Sequence, residues 1–388
     1  MTRKLRVLFV FQSLEGRGPE RVALNIVSHL DRSLFEPSLW VLKPDEDLRA
    51  DVPSDVPIDV ALADGARIRQ QLPRMWRSLV KRAREADVIV ATVELLPTYL
   101  AFAAGVAARK PVLGWVHNQM DRVFAAFPKW NFHASKFVYR RLARTVSVSQ
   151  GVQDTLRRLQ DLPSDRLLVL HNPQNLRAIE ARRDEALPDW AAFMSEQPTI
   201  LAAGRLTHQK GFDLLIDAHA RLRERGSRHN LVILGRGELH DELKRQASDL
   251  GVADSVFLPG FTANPYAFMR HATAFALSSR YEGLVGVVVE AMACGLPVVA
   301  FDCPSGTAEL LQDGRCGLLA PPEDVSALAD RLGEVLRDEK LRRHLSEQGT
   351  RRALDFAPER IVPQWEQLLA DVVVSPAVHR VSTLNSSL

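Results

Sequence analysis

Short runs of β-branched and apolar residues alternate with amphipathic stretches through most of this 388-residue chain. One series fills residues 5–171, and a second begins at residue 199 and continues to residue 337. Strands that alternate with helices are typical of a parallel sheet covered by helices on both faces. The pattern therefore predicts an α/β chain with two doubly wound domains. We expect strands at 5–11, 38–42, 88–93, 112–117, 145–149 and 167–171, and then at 199–203, 230–234, 255–259, 273–277 and 297–301.

The stretch between the two series has the composition of a connection. Residues 173–198 lack a strand pattern and are rich in proline and charge, so we expect a linker with one short helical piece. This linker would separate an N-terminal domain over 1–172 from a C-terminal domain over 199–356. Residues 371–388 have no clear periodicity, and we expect a loose tail there.

One long apolar segment, residues 88–108, carries a single charged side chain, Glu94. Its 21 residues are enough to cross a bilayer as a helix. Glu94 and Pro97 oppose such a span, because an acidic residue in mid-helix costs about 2.5–3.5 kcal/mol on insertion scales. The β-branched first half and the Leu- and Ala-rich second half instead predict a strand, a turn and a helix.

Ligands of open α/β sheets bind beside the carboxyl ends of the strands, so the loops there are the candidate sites. After the first strand, Gly16 and Gly18 precede a helix, where glycines let backbone approach a ligand and the helix N-terminus favours an anion. After the first strand of the second domain, Gly204 is followed by Arg205 and Lys210 on one loop. A guanidinium and an ammonium together suit a diphosphate, and two cations on a solvated loop are the alternative.

Two glutamates eight positions apart form a further candidate site. Glu282 lies at a glycine-containing turn, and Glu290 lies in an apolar helical segment at 286–294. A carboxylate among apolar residues is costly unless it accepts hydrogen bonds, which ribose or sugar hydroxyls would donate. A salt bridge to a nearby arginine is the alternative for Glu290.

Two other positions carry residue types of catalytic or metal sites. His117 stands at the carboxyl end of the strand at 112–117, and there we favour a functional role over a purely structural one. Asp45-Glu46-Asp47 imitates a metal-binding Asp-x-Asp motif, but it lies in a stretch rich in Pro and Asp. We interpret this triplet as a solvated acidic loop.

In their order along the chain, these motifs resemble those of the retaining glycosyltransferases of family 4. The resemblance is specific in the second half, where it rests on Gly204-Arg205-Leu206, Lys210-Gly211, Gly235-Arg236-Gly237, Gly260-Phe261, Glu282-x7-Glu290, the AMACGLP run at 291–297 and Ser305-Gly306-x-x-Glu309. It is thinner in the first half, where it rests on the segments 18–21, 115–118 and 147–152. The sequence departs from the family pattern at Arg17-Gly18, Val285 and Ser305-Gly306.

The resemblance implies the GT-B fold, in which two Rossmann-like domains face each other across a cleft. It also implies that residues 357–370, around Trp365, form a last helix that crosses back onto the N-terminal domain.

The resemblance further implies a role for each matched residue. Arg205 and Lys210 would neutralise the departing diphosphate, Glu290 would hold the ribose hydroxyls, and Glu282 would bind the transferred sugar. His117 would lie beside the donor sugar. The remaining implied donor contacts are Gly235, Gly237 and Phe261 around the base, the backbone N–H groups of Gly283 and Leu284, and the loop glycines Gly16, Gly18 and Gly204.

The implied reaction is retaining transfer of a sugar from a nucleotide-diphosphate donor, expected to be a UDP-sugar. The acceptor would be lipid-linked or another glycan, in cell-envelope polysaccharide or glycoconjugate synthesis. Fixed cations would stabilise the charge on the leaving phosphate, so we expect neither a metal nor another cofactor. An epimerase-like enzyme of the same architecture, which uses no acceptor, is the alternative.

The charge of the chain is unevenly spread. Residues 1–178 hold 27 Lys and Arg against 18 Asp and Glu, although the whole chain carries only +3. Between residues 122 and 144, aromatic and basic side chains interleave, which suits an anionic membrane surface. No nucleic-acid-binding module accompanies them, so we expect no nucleic-acid partner. We expect a cytoplasmic protein, peripheral on the cytoplasmic face of the membrane, with reduced thiols at its three cysteines.

Overall fold

The computed structural model describes residues 3–16, 18–44, 47–63, 68–125, 127–304 and 306–374. The chain divides into two compact units. The first unit contains Met1–Pro173 together with the segment that begins at Pro358, and the second contains Gln174–Ala357.

The first unit is built around a seven-stranded parallel sheet. Its strands are β1 (Leu5–Phe11), β2 (Phe35–Val41), β3 (Ile58–Val60), β4 (Val88–Ala91), β5 (Val112–Val116), β6 (Arg144–Ser147) and β7 (Leu167–Val169). Its helices are α1 (Gly18–His29), α2 (Ile68–Glu85), α3 (Leu96–Ala108), α4 (Met120–Ala125), α5 (Trp130–Tyr139) and α6 (Gln150–Gln160). The strand order is β3-β2-β1-β4-β5-β6-β7, so the winding reverses between β1 and β4.

Strand β1 is central in this sheet and pairs with β2 on one side and β4 on the other, with Val7 opposite both Pro37 and Val88. Every residue from Val7 to Phe11 is fully buried. A parallel strand that is covered by helices on both faces needs such a continuous apolar run.

The last helix of the chain also belongs to the first unit. This helix (Pro358–Val374) packs against α1 and β4, and its Trp365 packs against Trp115 of β5 with ring centroids 4.3 Å apart. Both indoles are fully buried. The expected return of the last helix to the N-terminal domain is therefore confirmed. The tail begins later than we expected, because residues 371–374 continue this helix with Val372 buried, and residues 375–388 lie outside the described part.

The second unit is built around a six-stranded parallel sheet. Its strands are β8 (Thr199–Ala203), β9 (Asn230–Leu234), β10 (Val256–Gly260), β11 (Ala274–Leu277), β12 (Val298–Phe301) and β13 (Leu318–Ala320). Its helices are α7 (Leu176–Arg182), α8 (Phe212–Glu224), α9 (His240–Asp249), α10 (Pro265–His271), α11 (Gly286–Ala293), α12 (Thr307–Leu310), α13 (Val325–Arg337) and α14 (Glu339–Ala353), so the last helix of the chain is α15. The order β10-β9-β8-β11-β12-β13 reverses its winding between β8 and β11.

Residues 173–198, which we expected to be a linker, are instead packed into the second unit. Helix α7 and the 3₁₀ segment Asp189–Ser195 bury Ile179, Ala191 and Met194 in the same apolar core as α10 and α11. Their few apolar residues complete one face of the sheet, and between them Pro188 and the acidic residues Asp184, Glu185 and Asp189 stay exposed. The segment is therefore part of the second domain.

The apolar segment 88–108 forms the expected strand, turn and helix, β4 and α3. Across the described residues, no helix is both long and apolar enough to span a membrane.

A chain of hydrogen bonds links two buried histidines of the second unit, away from the carboxyl ends of its strands. The ring atom His219 Nδ1 lies 2.9 Å from His229 Nε2, and His219 Nε2 lies 3.0 Å from Ser255 Oγ. Burial lowers the pKa of His219 to about 3 and that of His229 to about 4. Both rings are therefore neutral in the folded protein near pH 7.

We predict that the second unit loses stability as the pH falls below about 6.5, the ordinary histidine value. Below that pH the two histidines bind protons in the unfolded chain but not in the folded protein. The free energy of unfolding therefore falls by about 1.4 kcal/mol per pH unit for each histidine. Urea unfolding at pH 7.5, 6.5 and 5.5 measures this slope. His219→Gln should flatten it, whereas His344→Gln on the exposed face of α14 should leave it unchanged. An equally steep slope in both variants contradicts the prediction.

Candidate functional site

The loops at the carboxyl edge of the second sheet are held together by backbone contacts that only glycine permits. The N–H of Leu206, after β8, donates to the carbonyl of Arg236, after β9, at 2.9 Å. A Cβ atom at Gly235 would lie 1.8 Å from the carbonyl oxygen of Gly204, and one at Gly237 would lie 2.3 Å from that of Leu206. Gly235 also has a φ of +142°, which other residues rarely adopt. The fold itself therefore requires these two glycines, whatever ligand they face.

Lys210 and Glu282, both predicted as site residues, form an ion pair in this edge. Lys210 Nζ lies 2.5 Å from Glu282 Oε1, and Ser279 Oγ donates to the same oxygen at 2.6 Å. The Lys210 side chain is only 17% exposed and that of Glu282 only 9%. The pair joins the loop after β8 to the loop after β11, at the point where the winding of the sheet reverses.

Backbone contacts hold these two loops against each other. Gly211, the N-cap residue of α8, has a φ of +61°, and a Cβ atom there would lie 2.1 Å from the carbonyl oxygen of Ser278. Ser278 Oγ donates to the carbonyl of Lys210 at 2.9 Å, and the N–H of Arg280 donates to that of Gln209 at 2.8 Å. The position of the Lys210 ammonium is therefore set by backbone as well as by Glu282.

Arg280 also holds these loops in place, and its sequence context did not predict a role for it. Its guanidinium donates two hydrogen bonds to the carboxylate of Asp213, at 2.9 and 2.6 Å, and lies 3.1 Å from Glu323. Burial alone would raise the pKa of Asp213, but the Arg280 hydrogen bonds hold it below its ordinary value. The only signal in the sequence was a charged residue among small ones just after β11, and the sequence does not reveal its partners.

The remaining predicted donor residues of the second unit differ in their exposure to solvent. Arg205 is exposed, and its guanidinium has no ion-pair partner among the described residues. Phe261 is 64% exposed after β10, with the Arg236 guanidinium 5.8 Å from its ring centroid. A cavity of about 390 Å³ opens beside Phe261 and is lined by Leu234, Gly260, Trp190 and Phe268, among others.

Glu290 is half-buried on α11, a helix whose first residue is Gly286. The turn before this helix contains Gly283, which is buried, and Leu284, which is half-buried. Backbone N–H groups at a helix N-terminus favour an anion. The predicted residues Gly283, Leu284 and Glu290 therefore belong to one turn and the helix that follows it.

In the first unit, the predicted first-loop glycines follow β1. Gly16 has a φ of +83°, and its carbonyl accepts a hydrogen bond from Arg21 Nε at 3.0 Å. Gly18 begins α1, and a Cβ atom there would meet nothing within 4 Å. Arg17, between them, lies outside the described residues, as do Asp45 and Glu46 of the acidic triplet and Ser305.

His117 is buried just beyond the end of β5. Its ring packs against Trp115 with centroids 4.7 Å apart, and Nε2 lies 3.0 Å from the carbonyl oxygen of Thr92. Because a carbonyl only accepts, we assign the proton to Nε2, which leaves the Nδ1 lone pair as an acceptor. Burial lowers the pKa of His117 to about 3, so the ring is neutral and presents an acceptor rather than an acid.

Glu94 lies beside His117, and sequence reasoning treated it only as an argument against a membrane span. Its carboxylate, buried just after β4, accepts a hydrogen bond from the backbone N–H of His117 at 3.2 Å and another from Asn118 Nδ2 at 2.5 Å. Burial raises its pKa above the ordinary value. A lone acidic residue in an apolar run was the signal that could have identified it.

No group of three or more His, Cys, Asp or Glu side chains suited to a metal ion occurs in the part of the chain that the structure describes. The expectation that no metal is required stays a prediction.

Two family models together match most of the chain. The model described as Glycosyltransferase Family 4 matches residues 16–177, and the model described as Glycosyl transferases group 1 matches residues 185–352. The first match contains Gly16, Gly18 and His117, and the second contains the loops around Lys210 and Glu282.

Individual proteins agree with these models. The N-acetylgalactosamine-N,N'-diacetylbacillosaminyl-diphospho-undecaprenol 4-alpha-N-acetylgalactosaminyltransferase of Campylobacter jejuni is 32% identical over 273 residues, which cover 68% of this chain and 71% of that protein. An uncharacterized glycosyltransferase of Methanocaldococcus jannaschii is 33% identical over 199 residues, which cover 44% of this chain and 49% of that protein. The crystal structure of Anabaena HepE in complex with UDP superimposes with a TM-score of 0.81 at 22% identity, over 95% of this chain and 100% of that one.

Proposed function

Since this chain belongs to glycosyltransferase family 4 and has the two parallel α/β domains of the GT-B fold, we propose that it transfers a sugar from a nucleotide-diphosphate donor to a glycan acceptor in polysaccharide or glycoconjugate synthesis. The observation that carries the proposal is the ion pair between half-buried Lys210 and buried Glu282 at the winding reversal of the second sheet, with Arg205 on the same loop. A pure binding protein has no need of paired cations and a sugar-binding carboxylate in one place.

The second unit suits a nucleoside diphosphate at this edge. Lys210 has three N–H donors, and the Glu282 contact uses one of them. Arg205 adds a fork of donors that matches phosphate geometry. The cavity beside Phe261 supplies an apolar wall for a base, and the UDP-bound HepE structure supports uridine as that nucleoside.

We propose transfer with retention of configuration at the anomeric carbon. The bond between this carbon and the diphosphate oxygen breaks, an acceptor hydroxyl oxygen bonds to the same face of the carbon, and its proton passes to the leaving phosphate. Lys210 and Arg205 stabilise the negative charge that develops on that phosphate. In the second unit, Glu282 accepts a hydrogen bond from a hydroxyl of the transferred sugar. In the first unit, Nδ1 of the neutral His117 is an acceptor for a substrate hydroxyl. No step requires a metal ion.

The cation roles predict a loss of catalysis without a loss of fold. Arg205→Ala and Lys210→Ala should each lower kcat/KM by roughly 10²-fold, because each removes a charge-stabilising donor. Lys210→Arg keeps the charge beside Glu282 and guards against misfolding of the Ala variant. Lys244→Ala and Arg245→Ala, two exposed cations of α9, serve as matched controls. Near-normal turnover in both site variants excludes the assignment.

The metal-free mechanism predicts that transfer survives EDTA. Initial rates before and after chelation, and again after addition of Mn²⁺ or Mg²⁺, measure this. If EDTA abolishes transfer and either ion restores it, the charge of the diphosphate is neutralised in another way.

An epimerase-like reaction of the nucleotide sugar remains the second candidate, because both enzymes need the same diphosphate site. Analysis of the products with and without an acceptor separates them. A changed nucleotide sugar formed without acceptor supports the epimerase, and a glycosylated acceptor with free nucleoside diphosphate supports the transferase.

We also propose that the acceptor is lipid-linked and is met at an anionic membrane surface. The Campylobacter jejuni relative, whose named substrate is a diphospho-undecaprenol, supports this acceptor class. In the first unit, helix α3 packs against both α2 and α5, and large apolar side chains of this region are exposed to solvent. These side chains are 36% to 62% exposed, and they are Leu72, Trp76, Leu96, Val106, Phe127, Trp130 and Phe137. Together with the cations Lys129, Lys136 and Arg141 we call them the aromatic–basic face.

The charge of the aromatic–basic face suits anionic lipid. The Arg141 guanidinium lies 3.8 Å from the Phe137 ring centroid, and Lys129 and Lys136 flank Trp130 along the chain. Between residues 95 and 144 the only acidic residue is Asp121. Each cation near lipid headgroups contributes about 1 kcal/mol, and interfacial aromatics add apolar contact.

We predict that the protein binds vesicles that contain anionic lipid, and that salt weakens this binding as the screening length shortens from about 10 Å at 0.1 M to 3 Å at 1 M. Replacing Lys129, Lys136 and Arg141 with Ser should reduce both vesicle sedimentation and transfer to a lipid-linked acceptor. Arg140 is left intact because it is bound to Asp161. The matched control replaces Lys244, Arg245 and Lys340, three exposed cations of the second unit.

UDP affinity should stay unchanged in both triple variants. If the protein ignores such vesicles at low salt and glycosylates soluble acceptors equally well, the membrane proposal is wrong. Loss of activity toward an anionic soluble glycan would instead assign the face to that acceptor.

A further inference from the structure

Glu94 lies where the winding of the first sheet reverses. Strand β4 is the immediate neighbour of β1 on the other side from β2, so the loop after β4 and the loop after β1 meet at one edge. Reversal points of open α/β sheets are where ligands bind. Glu94 follows β4 there, and its carboxylate is directed toward the loop after β5 rather than toward solvent.

The backbone beside Glu94 has an unfavourable conformation. Leu95 has φ +62° and ψ −115°, a combination that costs of order 1–3 kcal/mol for a residue with a side chain. It immediately precedes α3, and Thr98 Oγ on the first turn of that helix donates to the carbonyl of Val93 at 2.9 Å. Such strain persists only where the surroundings fix it. Here the surroundings include the two hydrogen bonds that the Glu94 carboxylate accepts.

Both oxygens of Glu94 face donors. Oε2 accepts from the N–H of His117, and Oε1 accepts from Nδ2 of Asn118. A protonated carboxyl would have one weaker acceptor oxygen and an added O–H donor beside two N–H donors, so these contacts favour the ionised form. No cation pairs with Glu94 among the described residues.

The titratable groups around Glu94 come from two other elements. His117, beyond β5, is neutral, and Tyr139, at the end of α5, feels the Glu94 charge and has its pKa raised mainly by burial. Neither group supplies a compensating positive charge. The Asn118 amide and the His117 N–H are therefore the groups that stabilise the carboxylate.

We propose that Glu94 is a positioning residue for sugar transfer, which clamps the His117–Asn118 loop so that the His117 ring presents Nδ1 to a substrate hydroxyl. The proposal rests on the proposed transferase function. The clamp has two sides, because the His117 ring also donates from Nε2 to the carbonyl of Thr92, two residues before Glu94. Loss of the Glu94 charge weakens the contacts to the His117 backbone and to Asn118, so that the His117 ring can rotate.

Glu94→Gln tests the clamp with almost no change of shape. The amide accepts from one partner but turns an NH₂ group toward the other, so we expect kcat to fall by roughly 10- to 100-fold, as small misplacements of a catalytic group do. KM for the nucleotide sugar should change less than twofold, since Lys210 and Glu282 belong to the other unit. Glu85→Gln, an exposed glutamate at the end of α2, is the matched control.

The pH profile separates positioning from a merely structural role. Wild-type kcat should fall on the acidic side with a midpoint above the ordinary glutamate value, and Glu94→Gln should lack that acidic limb. Asn118→Ala should also lower kcat, and the double variant should lose less than the sum of the two single losses. Wild-type kcat and an unchanged acidic limb in Glu94→Gln would overturn the proposal.

Amide hydrogen exchange tests the clamp independently of any activity. In Glu94→Gln, the N–H of His117 should exchange faster than in the wild type, and in Glu85→Gln it should not. If the wild type turns over no nucleotide sugar, the transferase proposal fails. Hydrogen exchange at His117 still tests the clamp in that case. Unchanged exchange at His117 would refute the clamp even in an active enzyme.

Discussion

Both sheets reverse their winding beside their first strand, and this topological constraint determines where the candidate site residues meet. In the second unit the reversal lies between β8 and β11, and the loops after these strands bring Lys210 and Glu282 to 2.5 Å. In the first unit it lies between β1 and β4, whose following loops contain Gly16 and Glu94. The residues are far apart in sequence, yet the order of parallel strands leaves their loops as neighbours.

Much of this arrangement could be predicted from the sequence, because buried parallel strands are written as continuous apolar runs. Strands such as β1, β8 and β9 match their predicted bounds. The three-residue edge strands β3 and β13 were missed, since so short a run has no readable period. Strand β7 is equally short, but it begins a longer apolar run over 167–170 and was predicted. The linker prediction at 173–198 failed for a related reason. Ile179, Ala191 and Met194 are too widely spaced to form a pattern, and their burial depends on the helices that they cover.

Some residues of the candidate site were predicted from the sequence and others were not. Arg205, Lys210, Glu282 and the glycines were found because their types and order are distinctive. Arg280 and Glu94 were not assigned roles, because each acts through partners supplied by distant parts of the fold, Asp213 and Asn118. The structure also changes the meaning of Gly235 and Gly237, whose backbone contacts would forbid a side chain even without a nucleotide.

Lys210 and Arg205 differ in burial, and they therefore act differently on the charge of a bound phosphate. The half-buried ammonium of Lys210 acts on a neighbouring charge more strongly than an exposed one, because the surrounding dielectric is lower. Alone it would be costly to bury, and Glu282 offsets that cost while its own position is fixed by Ser279. Arg205 stays in water, where it needs no partner but its field is screened. The preorganised part of the field at this edge therefore comes from Lys210, and Arg205 supplies charge that can adjust to the phosphate it meets.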